Sequence, residues 1–234
     1  MKRISMILAA TAICVSFTAA QTKRTAPSKR AATKTSAAAQ TTTVPTGSVK
    51  GRTYTNRGLG LSITFPDTWL VPGDDFAAYM KKAGYDIAPK PPRAAKVADQ
   101  RKVDAAFNRL KILLTAYRSL PGTEGNAVAR IAVESVRTLD TNRPVKDAVD
   151  YVDLMRSQMG LVKMLAGYTY SETQAERLGS NQFAYIDSAD KTQKTRVYVT
   201  VRGGYAILFS LNYTAEDDLE TFRDALARAQ FTTK

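Results

Sequence analysis

The chain has 234 residues, 44% of them hydrophobic, with 34 basic residues against 21 acidic ones and a formal charge of +13. It contains no His and a single Cys, Cys14, which removes the usual general base, the commonest transition-metal ligand and any internal disulfide. This composition points away from hydrolases, oxidoreductases and zinc sites, and no cofactor or metal is expected.

Lys2 and Arg3 precede an apolar run from Ile4 to Phe17, and Thr18-Ala19-Ala20 supplies small residues before Gln21. Residues 1–20 therefore read as an export signal, with a periplasmic or secreted destination. The run is too short for a comfortable membrane span, and no later run reaches spanning length. A retained anchor fits the small residues poorly, and a lipid anchor on Cys14 fits poorly with bulky Ile13 before it.

Residues 21–50 are rich in Ala, Thr, Lys and Arg and contain no aromatic residue. Such a segment buries too little apolar surface to offset its ordering entropy, so it reads as a disordered linker. It is either a solvated spacer or a tether to an anionic envelope component through Lys23, Arg24, Lys29, Arg30 and Lys34. Eight basic residues and no acidic ones lie at or before Lys50, leaving 26 basic against 21 acidic residues for positions 51–234. The domain expected over 51–234 is only mildly basic, and nucleic-acid binding is not expected.

Leu61, Ile63 and Phe65 alternate with Ser62 and Thr64, the period of a half-buried strand; Pro66-Asp67 ends it, and Trp69 is expected to re-enter the core. Phe76, Tyr79 and Met80 have helical spacing, with Asp74-Asp75 as a candidate cap. Residues 89–92, three prolines and a lysine, must be extended or looped. A second helix is expected between Val97 and Leu110.

Lys111 to Tyr117 and Val128 to Val136 read as a hairpin. The consecutive Ile112-Leu113-Leu114 suggests a strand covered on both faces. Pro144 to Ala166 is the clearest helix, with Val145, Val149, Val152, Met155, Met159 and Val162 in one stripe. Asn142 is its candidate cap and Gly167 its candidate stop. Four strand-like runs follow: Tyr168–Thr173, Gln182–Asp187, Thr195–Arg202 and Tyr205–Tyr213. Gly203-Gly204 joins the last two as a tight hairpin. A closing helix is expected from Ala215 to about Gln230, capped by Thr214, with Leu219, Phe222 and Leu226 buried.

The segment Gly60-Leu61-Ser62-Ile63-Thr64-Phe65-Pro66-Asp67-Thr68-Trp69, the long middle helix, the run Tyr205-Ala206-Ile207-Leu208-Phe209-Ser210-Leu211 and the ending Ala229-Gln230-Phe231 together resemble the PsbP-like group, which includes the bacterial DcrB-like envelope proteins. The likeness covers most of Tyr54 to Phe231. It implies an α/β fold, a PsbP-like sandwich with a largely antiparallel sheet and helices packed on its faces. It also implies a non-catalytic accessory or envelope role. No metal ligand is carried over, and the stretch from Pro72 to Arg109 looks like an insertion.

Chemical motifs are sparse. Ser188-Ala189-Asp190-Lys191 has Ser-x-x-Lys spacing, but it joins two strands rather than opening a helix, and no Lys-Thr-Gly follows. Asp187 and Asp190 lack the glycine and distal glutamate of a calcium loop, so turn chemistry explains them better. Gly58 and Gly60 precede a strand and no Lys-Ser/Thr, which excludes a phosphate loop. Arg196, Tyr198 and Arg202 share one strand face that could receive an acidic partner, or simply lie solvated or under a helix edge. The expected function is a non-catalytic exported binding or accessory module of the cell envelope, its partner an unknown protein or anionic envelope component. The alternatives are a carrier of a small apolar ligand beside Met155 and Met159, and a hydrolase built on two carboxylates.

Overall fold

The computed structural model describes residues 44–73, 75–139, 144–162 and 167–232. The expected export signal and the leader cations Lys23, Arg24, Lys29, Arg30 and Lys34 lie outside them, as do Asp74 and Asn142. Strands β1 (Ser48–Lys50), β2 (Thr53–Asn56), β3 (Leu61–Thr64) and β11 (Gln230–Phe231) make one sheet in the order β1-β2-β3-β11. The larger sheet runs β4 (Lys111–Tyr117), β5 (Val128–Ser135), β10 (Tyr205–Tyr213), β9 (Lys194–Arg202), β8 (Asn181–Ala189) and β6 (Thr169–Tyr170), with β7 (Gln174–Leu178) also paired to β8. Every strand pair is antiparallel.

Alternation along β8, β9 and β10 divides the core in two. Phe183, Tyr198, Ile207, Phe209 and Leu211 face the small sheet and helix α4 (Glu216–Ala227), joined there by Leu61, Ile63, Phe65, Trp69, Leu219 and Phe222. Ala184, Ile186, Val197, Val199 and Leu208 face helix α3 (Ala148–Leu161), through Tyr151, Val152, Met155 and Met159. The architecture is thus an α/β sandwich. One face of the main sheet carries a second sheet as well as a helix, not helices alone. Two further helices, α1 (Phe76–Lys82) and α2 (Val97–Phe107), occupy the expected insertion. No helix among the described residues is long and apolar enough to cross a membrane.

Several local expectations need correction. Folding begins before Gly51: Val44 is 8% exposed in the core and β1 follows it. Two valines in an Ala/Thr-rich stretch are enough when a partner strand is waiting. Helix α3 starts after Asp147, whose carboxylate accepts from the Asp150 N–H at 2.9 Å, and it ends before an extended Val162 rather than at Gly167. Gly160 in the last turn and β-branched Val162 both weaken the helix there. Val145 and Ala148 pack partly buried against this core, whereas Val149, expected in the stripe, is 41% exposed.

Asp75 occupies the N-cap of α1 without a side-chain bond, and Ala215 rather than Thr214 is the N-cap of α4. The closing helix stops at Ala227, and Gln230-Phe231 pairs instead with Ser62 and Leu61. The run Ile112-Leu113-Leu114 has a different cause from the one expected. The register with β5 slips between Ile112 and Leu114, a bulge that turns Leu113 and Leu114 toward the same core.

Candidate functional site

The two edges of the main sheet are built differently. The β7 edge carries Gln174, Glu176 and Arg177, charge and polarity that discourage further pairing. The β4 edge carries Ile112, Leu113 and Leu114 and faces an open cleft of about 370 Å³. One wall is the segment Thr46–Val49 with Tyr54; the other is Phe76, Ala77 and residues 87–89; Thr115 and Tyr117 complete the floor.

Hydrogen bonds set each wall. Asn56, fully buried, donates from Nδ2 to the Pro45 carbonyl at 2.7 Å and to the Tyr54 hydroxyl at 3.1 Å, and its Oδ1 accepts from the Leu59 N–H at 3.1 Å. Tyr54 donates in turn to the Thr46 carbonyl at 2.6 Å. Lys111 Nζ donates to the Val44 carbonyl at 2.5 Å, tying the start of this segment to the start of β4. The opposite wall rests on a small core in which Met80, Ile87 and Tyr117 are buried, with the Phe76 ring tilted against that of Tyr117 at a centroid distance of 6.2 Å.

The backbone of β4 has a determined phase. Arg118 N–H donates to Ala127 C=O at 2.9 Å, while Tyr117 exchanges both its backbone bonds with Leu70 on the outer side, at 2.8 and 2.9 Å. In an antiparallel ladder, residues alternate between exchanging both bonds with the inner neighbour and exchanging neither. Tyr117 opposite Val128 and Thr115 opposite Arg130 are therefore outward-facing positions. Thr115 turns its N–H and C=O into the cleft, where nothing among the described residues pairs with them.

Among the described residues the cleft lining itself carries no charged side chain. Lys50 and Lys111 adjoin it in sequence, next to Val49 and Ile112. Arg130 lies one strand behind Thr115, buried, and burial pulls its pKa below the ordinary value while Tyr117 opposes the shift. Burial pushes both phenols of the cleft up: Tyr54 against the lowering effect of Asn56, and Tyr117 against that of Arg130.

The strand face carrying Arg196, Tyr198 and Arg202 lies elsewhere, against α4 and the small sheet. Arg196 makes a bidentate pair with Asp187, at 2.6 and 2.7 Å, and lies 4.4 Å over the Tyr185 ring. Tyr198 is fully buried and donates to Glu176 at 2.8 Å, and Glu176 also pairs with Arg223 of α4. Arg202 lies 4.4 Å over the Phe231 ring. Each of these three side chains has a partner inside the fold, and among the described residues only Tyr198 is linked to a helix, through Glu176 and Arg223. Burial lowers the Arg196 pKa, but the bonds to Asp187 and Tyr198 outweigh it and the net shift is upward.

The chemistry on offer in the cleft is narrow. Among the described residues its lining has hydroxyls from Thr46, Ser48, Tyr54, Thr115 and Tyr117, and no carboxylate, Cys or His. Buried Glu134 is far from it in role, accepting from Arg109 at 2.9 Å and from Tyr151 at 2.6 Å. Among the described residues no group of three or more His, Cys, Asp or Glu could hold a metal. Asp190 binds its own turn: its carboxylate accepts from the Thr192 N–H, the Thr192 hydroxyl and the Gln193 N–H. Met155 and Met159 are buried core side chains. What the cleft offers is a mixed lining of apolar side chains and hydroxyls around an open strand edge.

The sequence reading missed this cleft. Its signals were the apolar run on β4 and the proline-rich insertion that builds the outer wall. The segment Thr46–Val49 carried no signal of its own.

No family model matches the chain, and no curated protein matches it. Among solved structures, it is similar to the solution structure of cyanobacterial PsbP (CyanoP) from Synechocystis sp. PCC 6803, at 12% sequence identity and a TM-score of 0.42, over 80% of this chain and 98% of that one.

Proposed function

We propose that this protein is a non-catalytic, exported binding module of the cell envelope that holds its partner in the cleft along β4. The observation that carries the reading is the β4 edge itself. Three consecutive apolar residues and an unpaired backbone position lie open between two walls whose described residues supply no acid, base or nucleophile pair. The export signal expected over residues 1–20 supplies the envelope location, and the resemblance of the Gly60–Trp69 segment to PsbP-like envelope proteins agrees with it. The cationic leader brings the domain to an anionic surface while the cleft stays free.

The test is site-specific photo-crosslinking in the cells that export the protein. A benzophenone amino acid replaces Ile112 in the cleft, or Arg177 on the opposite edge. Adducts are expected at position 112 and not at position 177. Adducts confined to 177, or none at either position, would overturn the reading. A tether role for Lys23, Arg24, Lys29, Arg30 and Lys34 is tested by capture from envelope extract at low and moderate salt. The truncated comparison chain starts at Val44, so that the first wall of the cleft stays intact. Loss of a salt-sensitive fraction supports the tether; equal recovery reduces the leader to a spacer.

A further inference from the structure

Resting on the cleft as the binding site, we infer that its occupant is an extended peptide segment of a partner protein. It adds as a strand to the open edge of β4, with about four consecutive apolar residues flanked by acidic ones. Four observations converge on this. The Thr115 N–H and C=O both point into the cleft, the pattern an incoming strand pairs with. The open stretch is bounded at both ends: Leu70 already pairs with Tyr117, and Lys111 is held to Val44. Between these limits lie Ile112 to Thr115, about 13 Å of edge at the rise of a strand, which fits about four residues.

The side chains of an added strand alternate between the two walls. One set meets Val49 and Tyr54, the other Phe76 and Ile87. Each wall presents large apolar side chains, so a strand buried between them reads as a continuous apolar run rather than an alternating one. Among the described residues the lining itself carries no charge, but Lys50 adjoins Val49 and Lys111 adjoins Ile112, its Nζ bonded to the Val44 carbonyl and not to a carboxylate. Acidic flanks complement these two lysines and quicken the encounter.

The chain's own leader fits poorly as occupant, because residues 21–43 contain no apolar side chain larger than alanine or proline to meet these walls. A second copy fits poorly as well. Its β4 edge is recessed between the same two walls, and two recessed edges cannot meet.

The experiment uses the full-length chain, labelled with ¹⁵N, and the acetylated and amidated probe peptide Asp-Asp-Val-Ile-Val-Ile-Asp-Asp. The same peptide with alternate backbone nitrogens methylated is the control, because it keeps the side chains and cannot pair as a strand. The unmodified peptide is expected to shift the Thr115 amide and slow its hydrogen exchange at least tenfold. Binding should weaken at least tenfold with the methylated peptide, with Asp replaced by Lys, and in Thr115→Pro. The Thr115→Pro variant should keep its fold, because that N–H serves no ladder bond; its amide spectrum reports this directly. A second variant, Val49→Glu, blocks one wall without touching β4.

Equal binding of the methylated and unmodified peptides would overturn strand addition. If Nile red then occupies the cleft and Val49→Glu expels it, the binding-module reading survives with a small apolar ligand. If neither peptide nor dye perturbs cleft amides, both readings fall. Protection of Thr115 that appears without peptide and disappears in the chain starting at Val44 would assign the leader as occupant. The same protection growing with protein concentration would assign a second copy.

Discussion

Leu70 and Tyr117 exchange both backbone hydrogen bonds, at 2.8 and 2.9 Å, as an isolated bridge beyond the last strand of the main sheet. This one pair covers the lower end of an apolar edge and stops there. It also sets the phase of β4, because a residue that turns both groups outward obliges its second neighbour to do the same. Thr115 is left facing the cleft for that reason. An edge that is apolar and open is an aggregation hazard unless something shelters it. Here the shelter is two walls, built from the segment before β1 and from the insertion that holds α1.

The first wall depends on Gly47. Its φ is +89°, and a Cβ there would lie 2.6 Å from the Tyr54 hydroxyl and 2.8 Å from the Thr55 carbonyl. Gly47→Ala is expected to cost about 2–3 kcal/mol, through backbone strain together with the steric clash. Gly51→Ala is the control: its φ is +60° with nothing within 4 Å, so it bears the strain alone, about 1 kcal/mol. Urea unfolding midpoints decide. Equal losses at the two sites would mean that the wall does not pack on Tyr54 as described.

The folded unit is expected to begin at Val44. Limited proteolysis should leave a resistant core starting there, and a chain truncated to Gly51 should be less stable by about 2 kcal/mol or more. Truncation removes Val44 from the core and strips Asn56 and Tyr54 of the Pro45 and Thr46 carbonyls they bond. A core that starts at Gly51 with undiminished stability would return residues 44–50 to the linker.

What was legible in the sequence was mostly period. Strong alternation marked β3 and β9, the Gly203-Gly204 turn marked the β9–β10 hairpin, and stripes at three- and four-residue spacing marked α3 and α4. Trp69 was expected in the core and is 3% exposed. The misses share a cause: short elements whose partners are distant in sequence. Three-residue β1 and two-residue β11 have too few positions to show a period and exist only because β2 and β3 pair with them. The bulge at Leu113 imitated a doubly covered strand, since an inserted residue breaks alternation just as burial on both faces does. The cleft was illegible for a related reason. Its walls come from residues around 47, 76 and 88 and its floor from β4, brought together by tertiary pairing alone.

Arg196 is expected to act on stability and not on binding. Its side chain is 16% exposed and forms two parallel bonds to Asp187 while lying over Tyr185. Lys keeps the charge but cannot reproduce the fork, so Arg196→Lys should cost about 1–2 kcal/mol. Peptide-induced shifts at Thr115 should be unchanged. A variant that kept its unfolding midpoint but lost affinity would instead make this strand face a partner surface.

Alkaline pH should unfold the protein through its buried phenols. Burial, with Glu216 and Asp187 adding to it, pushes Tyr213 from an ordinary 10.0 up to about 12, and burial also raises Tyr54, Tyr117 and Tyr198. A phenol whose pKa is higher folded than unfolded gives its full stabilisation below about pH 10. The unfolded chain then ionises first, and the stabilisation is lost as pH climbs from 10 through 12. The expected signature is tyrosinate absorbance that lags model tyrosine and then rises together with loss of the fold. Tyr213→Phe removes one such group, so its stability should fall less steeply across that window, by the equivalent of about one proton. Tyrosinate forming near pH 10 for all eleven tyrosines, with the fold intact, would show that these phenols are not shielded as their burial requires.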